Sequence, residues 1–339
     1  MAFLTKAANR GSISTGYEIE GSICFEDAND ENMVKNYSGD GDRRTWTFST
    51  WIKRTEISQD YYVLFFAAYT GIQFMSEDWL RVALYDGTTT RYADTNQLFR
   101  DTSAWYHIVV TLDSTDSTAS DRVKIWINGS RVTDFRTSTY ASMSQNDQFG
   151  IGQASSNYQL GYWFAGGANN RGFCGYMAET HYANGTAYEA NDFGEFDDNN
   201  IWVPKEFEGS HGSKGFYLKF TNSSNIGEDS SDGGIGDFSP NGNTTSADLA
   251  TDSPTNNFCT FNPLMDQGNS PTISEGAMKS TGGGGNWNQT WGSIGVKNGK
   301  CACMAKRLRR IRQSTSNIGA NRRPETTRLY GSRSTRPRS

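Results

Sequence analysis

A chain of 339 residues with 35% hydrophobic and 13% aromatic residues, 36 Gly and 7 Pro suits short strands joined by polar turns, not packed helices. No run approaches the roughly 18 apolar residues of a membrane-spanning helix. Met1-Ala2-Phe3-Leu4-Thr5-Lys6 lacks the apolar stretch of a secretory leader. The net charge of −5 is unevenly spread: Met304 to Ser339 holds 11 Lys or Arg against the single acid Glu325, leaving 21 basic and 36 acidic residues before it. Such an acidic body repels nucleic acid, and only the basic tail could attract it. Cys24, Cys174, Cys259, Cys301 and Cys303 are odd in number and lack paired metal-ligand spacing, so neither a disulfide framework nor a zinc site is expected.

In chain order, Trp46 to Lys53 alternates, with Trp46, Phe48 and Ile52 on one face and Thr47, Ser49 and Lys53 on the other. Tyr106 to Asp113 does the same, grouping Tyr106, Ile108, Val110 and Leu112. Val123, Ile125 and Ile127 share a face, and Asn128-Gly129 supplies the two positive-φ residues of a type I′ hairpin turn. Further strands are predicted at 149–152, 172–182 and 215–220, and one short helix near Tyr188 to Glu195. Many antiparallel strands without a βαβ rhythm indicate an all-β jelly-roll sandwich. From Thr221 to Thr272 the chain turns Ser, Asn, Asp and Gly rich, and reads as an extended arm. Strand character returns around Trp287, Trp291, Ile294 and Val296.

The strand Trp105 to Asp113, the Val123 to Ile127 hairpin with Asn128-Gly129 and Val132, and the return strand from Phe173 through Gly175-Tyr176-Met177-Ala178-Glu179 carry a resemblance. Together they resemble the laminin-G-like jelly rolls of the concanavalin A-like lectin/glucanase superfamily. Arg44 to Ser49, Asp192-Phe193-Gly194-Glu195, Trp202-Val203-Pro204-Lys205 and Asp252-Ser253-Pro254-Thr255-Asn256-Asn257-Phe258 are similar to virion proteins of tailed bacteriophages. In that group a jelly roll is followed by a linker and a SPRY-like sandwich, whose opening resembles Thr272 to Gly276 and Gly292 to Lys300. The pattern breaks at Cys301, where the jump in Arg content fits a change of reading frame.

The resemblance implies a jelly roll over 1–221, an extended linker arm over 222–271, an incomplete SPRY-like start over 272–300 and a basic, disordered tail over 301–339. It implies a non-enzymatic virion component, a tail fibre or virion-surface protein, that assembles with other virion subunits as a homotrimer and binds host cell-surface glycan. A purely structural decoration or cement protein is the alternative, followed by a glycan-degrading enzyme. Glycosidases of the superfamily place Glu-x-Asp-x-x-Glu on one strand; here Glu195-Phe196-Asp197-Asp198-Asn199 ends in Asn200. His107, His181 and His211 are scattered, with His107 and His181 among solvent-side residues, and no Ser-His-Asp arrangement is expected.

Sugar binding needs an aromatic plate and planar hydrogen-bonding groups. The loop from Asn157 to Arg171 offers both: Tyr162 and Trp163 for stacking, and Asn169, Asn170 and Arg171 for hydroxyls. No cofactor is called for beyond one Ca²⁺ that laminin-G-like domains often hold at the rim through oxygen ligands. Asp86 and Asp113 are its candidates, beside Asp116 and Asp121 in the same kind of turn.

Overall fold

The alternation around Trp46 and Ile108 becomes two long neighbouring strands at the centre of a sheet. The computed structural model describes residues 16–27, 30–58, 62–154, 156–162, 172–264, 271–281 and 290–294. In chain order the strands are β1 Ser22–Phe25, β2 Asn32–Asn36, β3 Thr45–Arg54, β4 Tyr62–Ala67, β5 Thr70–Phe74, β6 Trp79–Tyr85 and β7 Thr90–Leu98. They continue as β8 Tyr106–Asp113, β9 Val123–Ile127, β10 Ser130–Arg131, β11 Phe135–Ser138, β12 Asn157–Leu160 and β13 Gly175–Asn184. The last are β14 Gly194–Phe196, β15 Trp202–Pro204, β16 Phe216–Leu218, β17 Ser239–Asn241, β18 Leu249–Ala250, β19 Thr272–Ser274 and β20 Lys279–Thr281.

Two antiparallel sheets face each other. The first runs β10-β9-β8-β3-β13-β1-β18, with β16 also on β13; the second runs β11-β7-β6-β5-β4-β12-β2-β17. β14 with β15, and β19 with β20, form separate hairpins. Neighbours in each sheet are joined by crossovers as well as hairpins, giving the all-β jelly-roll sandwich that the strand pattern indicates. Between the sheets lie Trp46, Phe48, Ile52, Ile108, Val110 and Tyr182 from the first and Phe65, Phe74 and Tyr158 from the second, all buried. Phe48 stacks on Phe65 with ring centroids 4.9 Å apart. Asn128 and Gly129 take φ of 48° and 76°, the two positive values a type I′ turn requires.

Three expectations change. Residues 149–152 form no strand but a turn, with Gly150 pressed on the Ala68 carbonyl, where a Cβ would lie 2.0 Å from the oxygen. The helix near Tyr188 shrinks to one 3-10 turn, Ala190–Asp192, because β14 begins at Gly194. Most consequentially, the outer face of the first sheet is covered. Alternation correctly separates Thr47, Ser49 and Lys53 from the core, yet all three are buried.

Residues 188–207 cover one half of that face through a cluster of Val109, Trp126, Ala190 and Phe193. Ile19, Trp51, Trp105 and Tyr176 form a cluster over the other half. The segment after Thr221 is extended, and it lies along its own sandwich: β18 pairs with β1, β17 with β2, and Phe238 enters the core against Phe216 at 4.7 Å. The motif from Asp252 to Phe258 seats on Lys53, whose Nζ donates to Asp252 Oδ2 at 2.9 Å, Asn257 Oδ1 at 2.8 Å and the Phe258 carbonyl at 2.6 Å. Residues 295–339, including the basic tail, lie outside the described residues.

Candidate functional site

A bulge in β13 determines what faces this covered layer. Register on β3 shifts between Ala178 and His181, and Glu179 sits at φ 46°, a left-handed value that few non-glycine residues adopt. The inserted residue reverses the alternation, so Met177 and Tyr182 both point into the core. His181 is thereby aimed outward, beside Ser49 and beneath the cover.

A crevice under the cover is lined by Tyr17, Ser49, Trp51, His107, Glu179 and His181, and it has no space for a water molecule. Placing His107 and His181 on the solvent side is corrected here: both are buried, because the segment after β13 folds back over them. His107 Nε2 lies 2.9 Å from Ser49 Oγ. Trp202 Nε1–H donates to His107 Nδ1 at 3.0 Å. An indole nitrogen is only a donor, so Nδ1 carries the lone pair and Nε2 the proton. His107 therefore donates to Ser49 and is not placed to accept its proton, the reverse of a nucleophile pair. Burial, with His181 nearby, pushes the His107 imidazole down to about 3, keeping it neutral.

Beside the crevice opens a cleft of about 490 Å³, lined by Trp126, Glu189, Asn191, Glu195, Phe196, Trp202 and Lys205. Trp126 comes from the outward side of β9, opposite the face of Val123, Ile125 and Ile127. Phe196 and Trp202 are cross-strand partners in the β14–β15 hairpin, their rings edge-on at 4.9 Å. Phe196 remains 48% exposed. Trp202 is fixed from several sides: the indole bond to His107, a parallel stack on that ring at 5.9 Å, and two glycines pressed against it. A Cβ on Gly129 would lie 2.2 Å from the indole and one on Gly194 2.5 Å from it.

The Asn128-Gly129 turn thus sets the hairpin and also makes room for the cleft wall. Gly129→Ala is expected to lower stability by about 1–3 kcal/mol, since it combines a positive φ with overpacking. Tryptophan emission should shift in the same variant. An unchanged denaturation midpoint and spectrum would show that Trp202 does not rest there.

The predicted loop residues fare differently. Tyr162 is only 5% exposed, bridged to Gly172, and burial pushes its hydroxyl up to about 12. A ring so enclosed presents no face to a sugar, so Tyr162 is corrected from platform to packing residue. Trp163, Asn169, Asn170 and Arg171 lie outside the described residues. Asp86 and Asp113 are engaged in turns. Asp86 Oδ1 accepts the Thr88 and Thr89 N–H groups at 2.8 and 2.7 Å and its other oxygen pairs with Arg91; Asp113 Oδ1 accepts from Thr115 N at 3.0 Å. Among the described residues no group of three His, Cys, Asp or Glu could hold a metal ion.

The site residues missed by sequence reasoning are Trp126, Glu189, Asn191 and Lys205, with Phe196 and Trp202. Trp126 had a signal, as the one large aromatic on the outward side of its strand. The others come together only when the segment after β13 folds back.

Comparison with known proteins bears on the sandwich that carries this cleft. Residues 27–179 match the Laminin_G_3 family. Its description is Concanavalin A-like lectin/glucanases superfamily. The laminin-G-like match runs from before β2 into β13, so it includes strands of both sheets but ends before the cover and the arm. No curated protein matches the chain. Among solved structures it is similar to a Bacteroides ovatus protein provisionally named carbohydrate binding, at 17% identity and a TM-score of 0.46, over 70% of this chain and 63% of that one. It is similar also to the heptameric SAP-like pentraxin of Limulus polyphemus, at 15% identity and TM-score 0.37, over 51% and 80% of the two chains. The LG1-3 region of the laminin alpha2 chain follows at 14% and 0.36, over 50% and 32%.

Proposed function

We propose that the protein is a non-enzymatic carbohydrate-binding module that holds a sugar in the cleft between β9 and the β14–β15 hairpin. The observation that carries this reading is the lining: the partly exposed Trp202 and half-exposed Phe196, backed by the buried Trp126, beside two carboxylates, an amide and an ammonium. Aromatic faces take the apolar side of a pyranose, and the polar groups take its hydroxyls. Support for a non-enzymatic role comes from the tautomer of His107 and from the closed crevice, which leaves Ser49 and Glu179 beyond the reach of a substrate. The likeness of the Arg44 to Ser49 and Asp252 to Phe258 segments to phage virion proteins extends the reading to a virion surface. There a homotrimer would repeat a weak site and gain avidity.

Glycan-array and calorimetric titration test it. Phe196→Ala is expected to weaken binding about 2–10-fold, the worth of one aromatic contact, with an unchanged circular-dichroism spectrum. No reducing ends should appear on prolonged incubation with the bound glycan. Binding unaffected by Phe196→Ala and by Lys205→Ala would move the site elsewhere. Turnover lost in Glu195→Gln would make the protein an enzyme.

A further inference from the structure

The covered face of the first sheet holds a series of titratable groups that the cleft does not use. Glu179 Oε2 lies 3.4 Å from His181 Nε2, His181 Nδ1 lies 3.1 Å from His211 Nε2, and His211 Nδ1 lies 3.2 Å from Asp232 Oδ1. Both imidazoles are buried, and their planes are within 6° of parallel. Asp232 belongs to the segment after β16 and is the exposed end of the series, at 56% side-chain exposure.

Counting protons gives the series its character. Two neutral imidazoles carry two N–H protons, whereas three contacts in a row need three. Every neutral arrangement therefore sets two lone pairs against each other at one contact at least: at Glu179, between the rings, or at Asp232. One added proton completes all three and leaves an imidazolium between two carboxylates. We infer that the His181–His211 pair takes up one shared proton, and that this proton latches the Asp232 loop to the outer face of the first sheet.

The surroundings agree with a proton held on the rings and not on the acids. Burial works against the Glu179 carboxylate, but His181 and the hydroxyls of Tyr217, at 2.6 Å, and Tyr17, at 3.0 Å, outweigh it and hold its carboxyl below the usual range. Asp232 is likewise held low, first by the His211 backbone N–H and then by the His211 ring and Ser210. The Tyr217 ring from β16 stacks on His181 at 4.1 Å and on His211 at 5.8 Å, a face that favours a cation.

Other groups oppose uptake. Lys205 lines the same crevice, whereas His107 on β8, held neutral, brings no charge. Lys219 lies over the far-reaching Tyr217 ring at 5.1 Å. Asp229 favours the cation, and Glu206 acts on Tyr17. Burial first, then repulsion from a charged His181, push His211 down to about 4, so once one proton is on the pair a second is opposed.

Ring-nitrogen NMR of the full chain between pH 7.5 and 2.5 tests this. His181 and His211 should change together and gain one proton in total. Asp232→Asn, at an exposed position, should move that midpoint at least about tenfold toward acid, or one pH unit, without altering the fold. In the unaltered protein, exchange of the His211 amide, corrected for its intrinsic pH dependence, should slow as the proton binds; in Asp232→Asn it should not. Independent titration of the two rings, each with its own proton, overturns the proposal. So does a midpoint indifferent to Asp232→Asn. Should that variant fail to fold, the ring titration of the unaltered protein decides alone.

Discussion

Asp252→Ala is expected to lower stability by about 3–5 kcal/mol, because it leaves the Lys53 ammonium inside the protein without its counter-charge. Lys53 is fully buried, and Asp252 is its only acidic partner among the described residues within ion-pair distance, at 2.9 Å. Asp252 Oδ1 also accepts from Trp105 Nε1 at 3.1 Å and from the Phe258 backbone N–H at 3.2 Å. One substitution therefore removes the charge and unfastens the arm from the sheet. In thermal melts the loss corresponds to a drop of about 6–15 °C for a unit of this size.

Burial raises the Asp252 carboxyl above its usual range even with Lys53 beside it, so desolvation outweighs the attraction within the pair. The double replacement Lys53→Met with Asp252→Leu should accordingly cost less than Asp252→Ala alone, since no charge is then left buried. Denaturant unfolding of the two variants and of the unaltered protein checks this. A loss below about 0.5 kcal/mol for Asp252→Ala would mean that the arm is not held through this pair.

The second large effect is in acid. Burial lowers His107 to about 3, whereas the unfolded chain titrates near 6.5. Above pH 6.5 both states are neutral there and the group adds no pH dependence. Below it the unfolded state binds the proton first, so stability is lost as the pH falls from 6.5 toward 3. The His107 share of that loss is about 3 kcal/mol by pH 4. His211, pushed down to about 4, adds to the same trend. Urea midpoints measured from pH 7 to pH 4 should fall steadily, and less steeply in His107→Gln, whose side chain does not titrate. A flat profile over that interval would show that His107 is not buried as a neutral ring.

What the chain order of residues determines by itself is local and periodic. Trp46, Phe48 and Ile52 lie on the core side of β3, and Ile108, Val110 and Leu112 on the core side of β8, because a strand alternates with a period of two wherever its register is unbroken. Asn128-Gly129 makes its turn because few other pairs take positive φ twice in succession. The jelly roll follows from many such strands.

Tertiary structure decided the rest. Alternation tells which residues leave the core, not whether solvent or another layer meets them. Ser49, Lys53, His107 and His181 leave the core and are still buried, under segments that follow β13 or come from the arm. The polar composition after Thr221 reads as an extended arm without saying what it lies on; hydrogen bonds to Lys53 and one inserted ring, Phe238, seat it on its own sandwich. The bulge at Glu179 has no sequence mark, since no glycine announces its positive φ. The cleft joins Trp126 to Phe196 and Trp202 across some 70 residues of chain, a pairing set by how the hairpin packs on the sheet and not by spacing. Tyr162 shows the converse limit: an aromatic in a Gly- and Asn-rich run looks exposed by composition, while its bridge to Gly172 encloses it.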